Sequence, residues 1–510
     1  MSRPCTAALL LVAGLAVLHL AIIASGRWPL SPDEAHYWEW ARRLDWSYYS
    51  KGPLVAYLIA LGTAVAGSTA FGVRLPAVVL SAGLALLAFH LARRLFASDR
   101  AGLLTVAFLS VMPLYAAGSL LMTIDLPFLC CWTLAACLLL IAVERRSYMA
   151  WYGVGLALGL GLLAKYTMAM LIPCVFIWLV SSPRLRPWLL RREPYEALLI
   201  GLLLFSPVLV WNARHAWLSG RHVLIQAGGS GRPDLLRGLL RGPEFFGSQI
   251  GLVSPLLFCV LAVGLAWAWE RGVREGRDDL LLLLCLSAPP FLFFQLWSLV
   301  TKVQANWAAH AYLTAAVAAA GWCESWSGRS PKSRQVRRRL KLLVLTSLLL
   351  PAVALPLVLF PDLLAPLGTR LPAALDLVGK RLSGWPELGA AVGEAAGRLP
   401  RAPFLVSDRY QIASELAFYV PGQPRVYNAN LGRRMNQYDL WGGWEALRGQ
   451  DGLFVSYGAG DPPHELVEAF GALERVAVVP IRKRGEHLRD FSIFLGRDFR
   501  GFPPRPFDGY

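Results

Sequence analysis

Two acidic segments, each next to an apolar run, carry the residue types that could move a proton. The first contains the adjacent carboxylates Asp33 and Glu34, and the second contains the single carboxylate Asp125. A carboxylate within hydrogen-bond reach of a hydroxyl can accept its proton while the oxygen attacks an anomeric carbon. Acidic groups beside hydrocarbon are costly, and partial desolvation increases their basicity. We therefore expect a general base at Asp33 or Asp125, and the residue types leave both open.

Each acidic segment also has a purely structural interpretation. Ser31-Pro32 followed by Asp33 and Glu34 is a good helix start, and Asp125 could cap the helix that follows it. Only a shared location on one face of the membrane would favour chemistry over capping. The same aromatic-rich segment continues with His36 and Tyr37, which could contact a substrate.

Three lysines supply the complementary charge. Lys51, Lys165 and Lys302 lie at the edges of apolar stretches, where a cation could offset the charge that develops on a phosphate leaving group. Each could instead extend to the interface without any catalytic role. The spacing of His36 and His310 matches no local ligand motif, so neither a protein-bound metal nor another cofactor is predicted.

The composition requires a bilayer around these residues. The chain has 510 residues, of which 56% are hydrophobic and 16% are charged, against about 25% charged residues in soluble domains. Its net charge of +17 comes from short arginine clusters between apolar runs, as in topology signals and contacts with anionic lipids. A nucleic-acid partner is excluded because no single domain collects these charges.

Apolar stretches near the length of about 20 residues that a spanning helix needs predict eleven spans. The segment 54–67 is shorter, and we expect it to lie along the outer surface. With a cytoplasmic N-terminus the arginine clusters then face inward, and both acidic segments, the lysines and the tail face outward from an inner membrane. The predicted spans are 5–25, 73–92, 101–118, 126–143, 148–164, 167–181, 194–211, 247–269, 279–300, 306–322 and 341–360.

The tail differs in kind from the apolar part. From about residue 400, short apolar strands alternate with helical stretches, which predicts a small α/β domain. It lacks a glycine-rich phosphate loop after a strand, so a nucleotide site is not expected there. We divide the chain into a transmembrane catalytic domain, 1–360, and an extracytoplasmic α/β domain, 361–510. The predicted strands are 403–406, 425–427, 453–457, 475–479 and 491–495, and the predicted helices are 411–419 and 464–470.

Several short motifs resemble those of a known group of membrane enzymes. They are Asp33-Glu34, Arg74-Leu75-Pro76, Thr123-Ile-Asp125-Leu-Pro127, Trp211-Asn212-Ala-Arg-His215 and Gln304-Ala-Asn306-Trp307. The chain resembles the GT-C superfamily of glycosyltransferases over about residues 1–360. The most similar branch is family 39/83, which contains protein mannosyltransferases, lipid A aminoarabinose transferases and RgtA/B/C/D-like proteins.

This resemblance implies inverting transfer of a sugar from a polyprenyl-phosphate carrier, without a nucleotide. It implies that Asp33 is the principal catalytic carboxylate, that Asp125 supports it, and that Lys51 meets the carrier phosphate. Two departures stand out, because relatives have an arginine where this chain has His36 and an acidic residue where it has Ser50. These departures argue against naming aminoarabinose or lipid A as substrates.

We therefore predict a GT-C-type polytopic α-helical membrane protein that moves a sugar to a lipid, glycan or protein acceptor in cell-envelope or lipopolysaccharide modification. We expect a monomer in contact with membrane lipids. The alternatives are a transporter or flippase of lipid-linked sugars and a non-catalytic scaffold. Catalysis is assigned to Asp33 and Asp125, and substrate contacts are assigned to Glu34, His36, Tyr37, Lys51, Lys165, Lys302 and Asn306.

Overall fold

The computed structural model describes residues 2–229, 235–326, 334–363 and 376–502. Apolar helices form the chain up to residue 359, and a mixed five-stranded sheet with covering helices follows within the described residues. This is the predicted class, a polytopic helical protein with a small C-terminal α/β domain. The predicted boundary at 360/361 lies beside residues 364–375, outside the described ranges, and stays a prediction.

Serine and threonine side chains start many of the helices. Ser2, Ser31, Thr69, Ser98 and Ser147 each accept a hydrogen bond from a backbone N–H in the first turn, which satisfies a group that the helix itself cannot pair. The helices of this part are α1 (Arg3–Ala24), α2 (Pro32–Ala41), α3 (Leu54–Ala66), α4 (Ala70–Phe96), α5 (Asp99–Val111), α6 (Pro113–Gly118), α7 (Asp125–Glu144), α8 (Tyr148–Ala164), α9 (Leu171–Ser181), α10 (Glu193–Arg214), α11 (Leu218–Leu224), α12 (Leu235–Val253), α13 (Pro255–Glu275), α14 (Asp278–Trp297), α15 (Ala311–Glu324) and α16 (Arg334–Leu359).

The number of spans is lower when it is judged by helix length. Among the described residues, seven helices are long and apolar enough to cross a membrane: α1, α4, α7, α10, α13, α14 and α16. The other predicted spans correspond to the shorter helices α5 with α6, α8, α9 and α15, so the count of eleven is not confirmed. Helix α3 has 13 residues, which agrees with its expected failure to span, while its orientation stays a prediction.

Small residues allow close packing in the apolar bundle. A Cβ atom on Gly155 of α8 would lie 2.4 Å from the carbonyl oxygen of Ala197 in α10, and one on Gly264 of α13 would lie 2.4 Å from Cα of Ala319 in α15. Such contacts stabilise helix pairs in lipid, where burial of apolar surface gives little driving force. The first of these contacts holds α8 against α10, and α8 ends immediately before Lys165.

The tail folds as the alternating pattern predicted. The strand order is β2-β1-β3-β5-β4, with β1 parallel to β2 and β3, and β5 antiparallel to β3 and β4. The predicted strands and helices are all present, although the last two strands are 14 residues long each. The elements are α17 (Leu377–Leu382), α18 (Trp385–Gly397), β1 (Phe404–Ser407), α19 (Tyr410–Tyr419), β2 (Val426–Asn428), α20 (Gln437–Trp441), β3 (Gly452–Tyr457), α21 (His464–Ala469), β4 (Phe470–Lys483) and β5 (Glu486–Phe499).

The tail packs directly on the first acidic segment. The Leu30 backbone N–H donates to the Tyr419 hydroxyl at 2.7 Å, and the Tyr49 N–H donates to the Gln437 side-chain oxygen at 2.7 Å. Helix α19 packs along α2 between these two bonds. Residues from opposite ends of the sequence therefore share one site.

Candidate active site

Helix α2 presents its first two acidic residues in different directions. Ser31 and Glu34 form a capping box, in which each side chain bonds to the backbone of the other, and Pro32 occupies the first turn. Adjacent residues on a helix point about 100° apart. Glu34 consequently enters the protein interior, whereas Asp33 remains exposed to solvent.

Glu34 holds the framework of the site together. It is fully buried, and its oxygens accept hydrogen bonds from the Arg74 guanidinium at 2.7 and 2.8 Å and from the Met122 backbone N–H at 3.0 Å. This ion pair joins α2 to α4 and to the loop before Asp125. The side chain has no accessible surface in this arrangement, and the predicted substrate contact at Glu34 stays a prediction.

Asp33 combines access for solvent with enclosure by protein. Surrounding protein atoms desolvate the carboxylate and raise its pKa, against the lowering effects of Arg381, Lys51 and the nearby Tyr410 hydroxyl. A solvent-exposed group that is nonetheless desolvated lies in a recess rather than on a convex surface. A carboxylate with these properties can accept a proton from a bound hydroxyl.

Lys51 reaches the same recess from the segment after α2. Gly52 permits this because a Cβ atom there would lie 2.1 Å from the carbonyl oxygen of Leu163, near the end of α8. Burial lowers the pKa of Lys51 to about 8, with a further lowering by Lys165 and opposing effects of Asp125 and Asp33. The amine is thus largely charged at neutral pH and surrounded by the other predicted site residues.

The second acidic segment is joined to two other predicted residues. Asp125 accepts a hydrogen bond from the Lys165 ammonium at 2.7 Å on one oxygen and from the Asn306 amide at 2.9 Å on the other. The Lys165 side chain is 9% exposed, so this ion pair is well shielded from solvent. The structure therefore brings together three predicted residues that are far apart in sequence. Asp125 begins α7, Lys165 follows the end of α8, and Asn306 lies in the segment before α15.

Tyr37 links the two carboxylates electrostatically. Burial raises the pKa of its hydroxyl, and the charges of Asp33, Tyr410 and Asp125 raise it further. The hydroxyl therefore stays protonated and can donate a hydrogen bond within range of both acids. This location agrees with the predicted substrate contact, which stays a prediction.

Two predicted contacts have other surroundings. His36 is buried with its ring centroid 4.7 Å from that of Tyr410 and 5.5 Å from that of Tyr438, and burial lowers its pKa to about 3. The imidazole is therefore neutral and packed among aromatic rings, and its predicted substrate contact stays a prediction. Lys302 is exposed and forms no ion pair with any residue that the structure describes, and its predicted substrate contact stays a prediction.

The tail contributes residues that the sequence reasoning missed. The charges of Arg381 and Arg434 act on Tyr410, and Arg434 also acts on Lys51 and on His222. Neither arginine belongs to a motif that the sequence analysis singled out. Within the described ranges, no group of three or more His, Cys, Asp or Glu residues could hold a metal ion, and metal dependence stays a prediction.

Comparison with known proteins identifies the group to which this architecture belongs. A family model described as dolichyl-phosphate-mannose-protein mannosyltransferase matches residues 50–211. Lipid A galacturonosyltransferase RgtD of Rhizobium johnstonii is 29% identical over 417 residues, which are 81% of this chain and 82% of that protein. The crystal structure of ArnT from Cupriavidus metallidurans has the same fold, with a TM-score of 0.65 at 17% sequence identity. The match covers 95% of this chain and 97% of ArnT. The family model, the relatives and the solved structures all support a GT-C-type membrane glycosyltransferase.

This similarity supports glycosyl transfer and not the transporter alternative. It also makes the chain a multi-pass protein of the inner membrane. A second relative, the undecaprenyl phosphate-alpha-4-amino-4-deoxy-L-arabinose arabinosyl transferase of Pectobacterium carotovorum, is 28% identical over 299 residues. That match covers only 53% of this chain and 51% of the relative. The galacturonosyltransferase is thus similar over a much larger part of the sequence.

Proposed function

We propose that the protein transfers a sugar from a polyprenyl-phosphate carrier to an acceptor hydroxyl on the outer face of the inner membrane, with inversion at the anomeric carbon. The grouping of Asp33, Lys51 and the Asp125–Lys165 pair around one recess carries this proposal. The carrier class is supported by ArnT, which has this fold and was crystallised bound to undecaprenyl phosphate. Lipid A is the acceptor we favour, since a relative that matches 81% of this chain is named for it.

The reaction needs one base and one stabilised leaving group. The Asp33 carboxylate accepts the proton of the acceptor hydroxyl, whose oxygen forms a bond to the anomeric carbon. The bond from that carbon to the phosphate oxygen breaks, and its electron pair stays on the phosphate of the released carrier. The reaction balances without a redox partner, and we propose that it requires neither a nucleotide nor a protein-bound metal.

The cations have distinct tasks in this mechanism. The Lys51 ammonium offsets the charge that develops on the leaving phosphate, which is the type of electrostatic stabilisation that contributes most to many enzymes. Lys165 neutralises Asp125, and Asn306 fixes its second oxygen, so this trio shapes the opposite wall and orients the substrate. The N-terminus would be cytoplasmic and the α/β domain extracytoplasmic, with the enzyme acting as a monomer.

Transfer in proteoliposomes tests the proposal. A panel of labelled polyprenyl-phosphate sugars would be supplied with lipid A or membrane extract, and wild type would be compared with Asp33→Asn. The matched control is Asp461→Asn, because Asp461 is a fully exposed carboxylate in the tail. We expect transfer by wild type and by the control, with loss in Asp33→Asn. Movement of labelled carrier across the membrane in all three proteins, without sugar transfer, would instead establish a transporter.

A further inference from the structure

Lys51 is carried by an irregular segment that links α2 to α3. Residues 42–53, all within the described ranges, form neither a helix nor a strand, so no regular hydrogen-bond pattern fixes the course of this backbone. One turn is closed locally, because the Tyr48 N–H donates to the Lys51 carbonyl oxygen at 3.2 Å. The position of the Lys51 ammonium therefore depends on contacts between residues 45–51 and other parts of the chain.

The Trp211-Asn212-Ala-Arg-His215 motif at the end of α10 holds the start of this segment. The Trp211 indole N–H donates to the Asp45 carboxylate at 2.9 Å. The Trp211 ring also stacks on the His215 ring, with the ring centroids 4.0 Å apart and the planes 15° from parallel. The His215 Nδ1 lies 2.8 Å from the Trp211 carbonyl oxygen. The stacked histidine thus holds the indole in the orientation that reaches Asp45.

Asn212 of the same motif holds a sharp turn between α10 and α11. The turn contains Ala216 and Trp217, whose φ angles are 51° and 57°. Such angles are unfavourable for residues with a Cβ atom and persist only where surrounding contacts impose them. Asn212 is buried, and its side-chain oxygen accepts the Ser219 N–H at 3.1 Å and the Gly220 N–H at 3.4 Å. This asparagine therefore fixes the start of α11 against the end of α10.

Ser219 connects α11 to the segment that carries Lys51. Its side chain is buried, and its hydroxyl donates to the carbonyl oxygen of the buried Tyr48 at 3.0 Å. Asn212 is thus bonded to Ser219, and Ser219 is bonded to Tyr48. The local turn continues this series from Tyr48 to Lys51. Because a buried carbonyl group that loses its hydrogen-bond donor is unfavourable, the segment is held to α11 in one position.

Resting on the proposed function, we propose that the Trp211-Asn212-Ala-Arg-His215 motif and Ser219 hold the backbone segment that places the Lys51 ammonium beside the carrier phosphate. They are positioning residues, since they contact the segment rather than the reacting groups. The stem of a lysine is flexible, so its ammonium is placed accurately only when its backbone is fixed. A misplacement of about 1 Å can lower a rate by about 10²-fold. The motif therefore acts on the rate through one lysine.

A double-mutant cycle distinguishes positioning of Lys51 from general support of the fold. Initial rates of sugar transfer would be measured with wild type, Ser219→Ala, Lys51→Ala and the double variant Ser219→Ala/Lys51→Ala. Ser347→Ala is the matched control. Ser347 is also buried, but its hydroxyl donates to the Val344 carbonyl oxygen of its own helix, at 2.8 Å. Thermal unfolding of each purified variant ensures that rates are compared between folded proteins.

We expect Ser219→Ala to lower kcat by about 3- to 10-fold, the loss typical of one hydrogen bond. In the absence of Lys51, the same substitution should change the rate by less than about twofold, because the two residues act through one path. Ser347→Ala should also change the rate by less than about twofold, as for mild substitutions. Multiplicative losses from Ser219→Ala and Lys51→Ala would overturn the proposal, as would an unchanged rate in Ser219→Ala or an equal loss in the control.

A second measurement reports on Lys51 without any sugar donor. Acetylation of its amine by acetic anhydride, followed over a range of pH by mass spectrometry, gives the midpoint of its titration. Burial lowers the pKa of Lys51 to about 8, and a released side chain gains solvent. Ser219→Ala and Asn212→Ala should therefore each raise the midpoint by about 1 pH unit, toward the ordinary lysine pKa of about 10.4. Trp211→Phe, which keeps a ring but removes the N–H bonded to Asp45, should act in the same direction.

The two measurements separate this proposal from the proposed function. Transfer by wild type, with midpoints in the variants equal to that of wild type, would keep the proposed function and overturn the positioning of Lys51 by the motif. Failure of wild type to use any polyprenyl-phosphate sugar, with raised midpoints in the variants, would reject the proposed function and leave the support of Lys51 by the motif intact.

Discussion

The two sides of the recess use aspartate in opposite ways. On one side, Asp33 is exposed to solvent, has a raised pKa and forms no ion pair with any residue in the described part of the chain. On the other side, both oxygens of Asp125 are occupied by Lys165 and Asn306. A base needs an available lone pair and an increased affinity for protons. This difference supports the proposal that Asp33 accepts the proton and that Asp125 has a positioning task.

This division follows from the neighbours of each residue. Glu34 takes over both the capping of α2 and the buried ion pair with Arg74, so Asp33 is not needed for either. Asp125 has no adjacent acidic residue that could form such contacts in its place. Its own oxygens accept hydrogen bonds from Lys165 and Asn306. An adjacent pair of carboxylates therefore allows one member to be structural while the other is reactive.

Replacing each aspartate by asparagine is the most direct way to break this comparison. We expect Asp33→Asn to reduce kcat by about 10²- to 10⁴-fold, as is usual when a general base is removed. Asp125→Asn should cost about 10- to 100-fold, because it leaves Lys165 with a weaker partner. Single-turnover transfer with pre-bound donor measures both. A larger loss in Asp125→Asn would reverse the assignment.

Removing the bond that joins the two sides should destabilise the protein. Glu34 bridges Arg74 and the Met122 N–H, so Glu34→Gln leaves a buried guanidinium without its charge partner at a cost of about 3–5 kcal/mol. Glu415 provides the control, since it is equally buried, its pKa is raised by burial, and neither of its oxygens has a partner among the described residues. Glu415→Gln should change the free energy of unfolding by less than about 1 kcal/mol, within the range of mild substitutions. Denaturant unfolding in detergent compares the two variants, and similar losses would contradict the bridging role.

The pH dependence of kcat/KM tests the roles of the Asp33 carboxylate and the Lys51 ammonium together. Asp33 must be deprotonated, so activity should rise with pH through its pKa, which burial sets above the ordinary aspartate value. Lys51 must be protonated, so activity should fall above its pKa of about 8, by about tenfold per pH unit. Lys51→Arg should retain activity at high pH because arginine stays charged. A basic limb that is unchanged in Lys51→Arg would show that another group titrates there.

The smallest effect is expected at the lysine that lies apart from the others. Lys302 is exposed, and Lys302→Ala should change kcat/KM by less than about twofold, as for most surface substitutions. Lys165→Ala is the matched comparison and should reduce activity, because it exposes the Asp125 charge. Similar losses of kcat/KM in both variants would show that Lys302 contributes to the site.

The sequence predicted local chemistry better than it predicted surroundings. Capping residues, apolar stretches and the alternating tail gave the helices, the short α3 and the strands, because these depend on neighbouring residues. Asp33, Asp125 and Lys51 could be chosen for the same reason. Asp33 is exposed whereas Glu34 and His36 are buried, and this difference depends on Arg74 and on the tail. No local sequence pattern connects those residues to the first acidic segment. Arg434 was missed because its charge acts on Lys51 and Tyr410 only when the tail packs on the first acidic segment.

The docking of the tail has a consequence for biosynthesis. Leu30 and Tyr419 are bonded across 389 positions, and Tyr49 and Gln437 across 388, so the wall around Asp33 contains residues that are synthesised at widely separated times. The first acidic segment emerges from the ribosome long before these partners are made. A nascent chain would thus present the Asp33 carboxylate without Tyr410, Arg381 or Arg434 around it. The surroundings of Asp33 are complete only after the tail has been made and has packed on the first acidic segment.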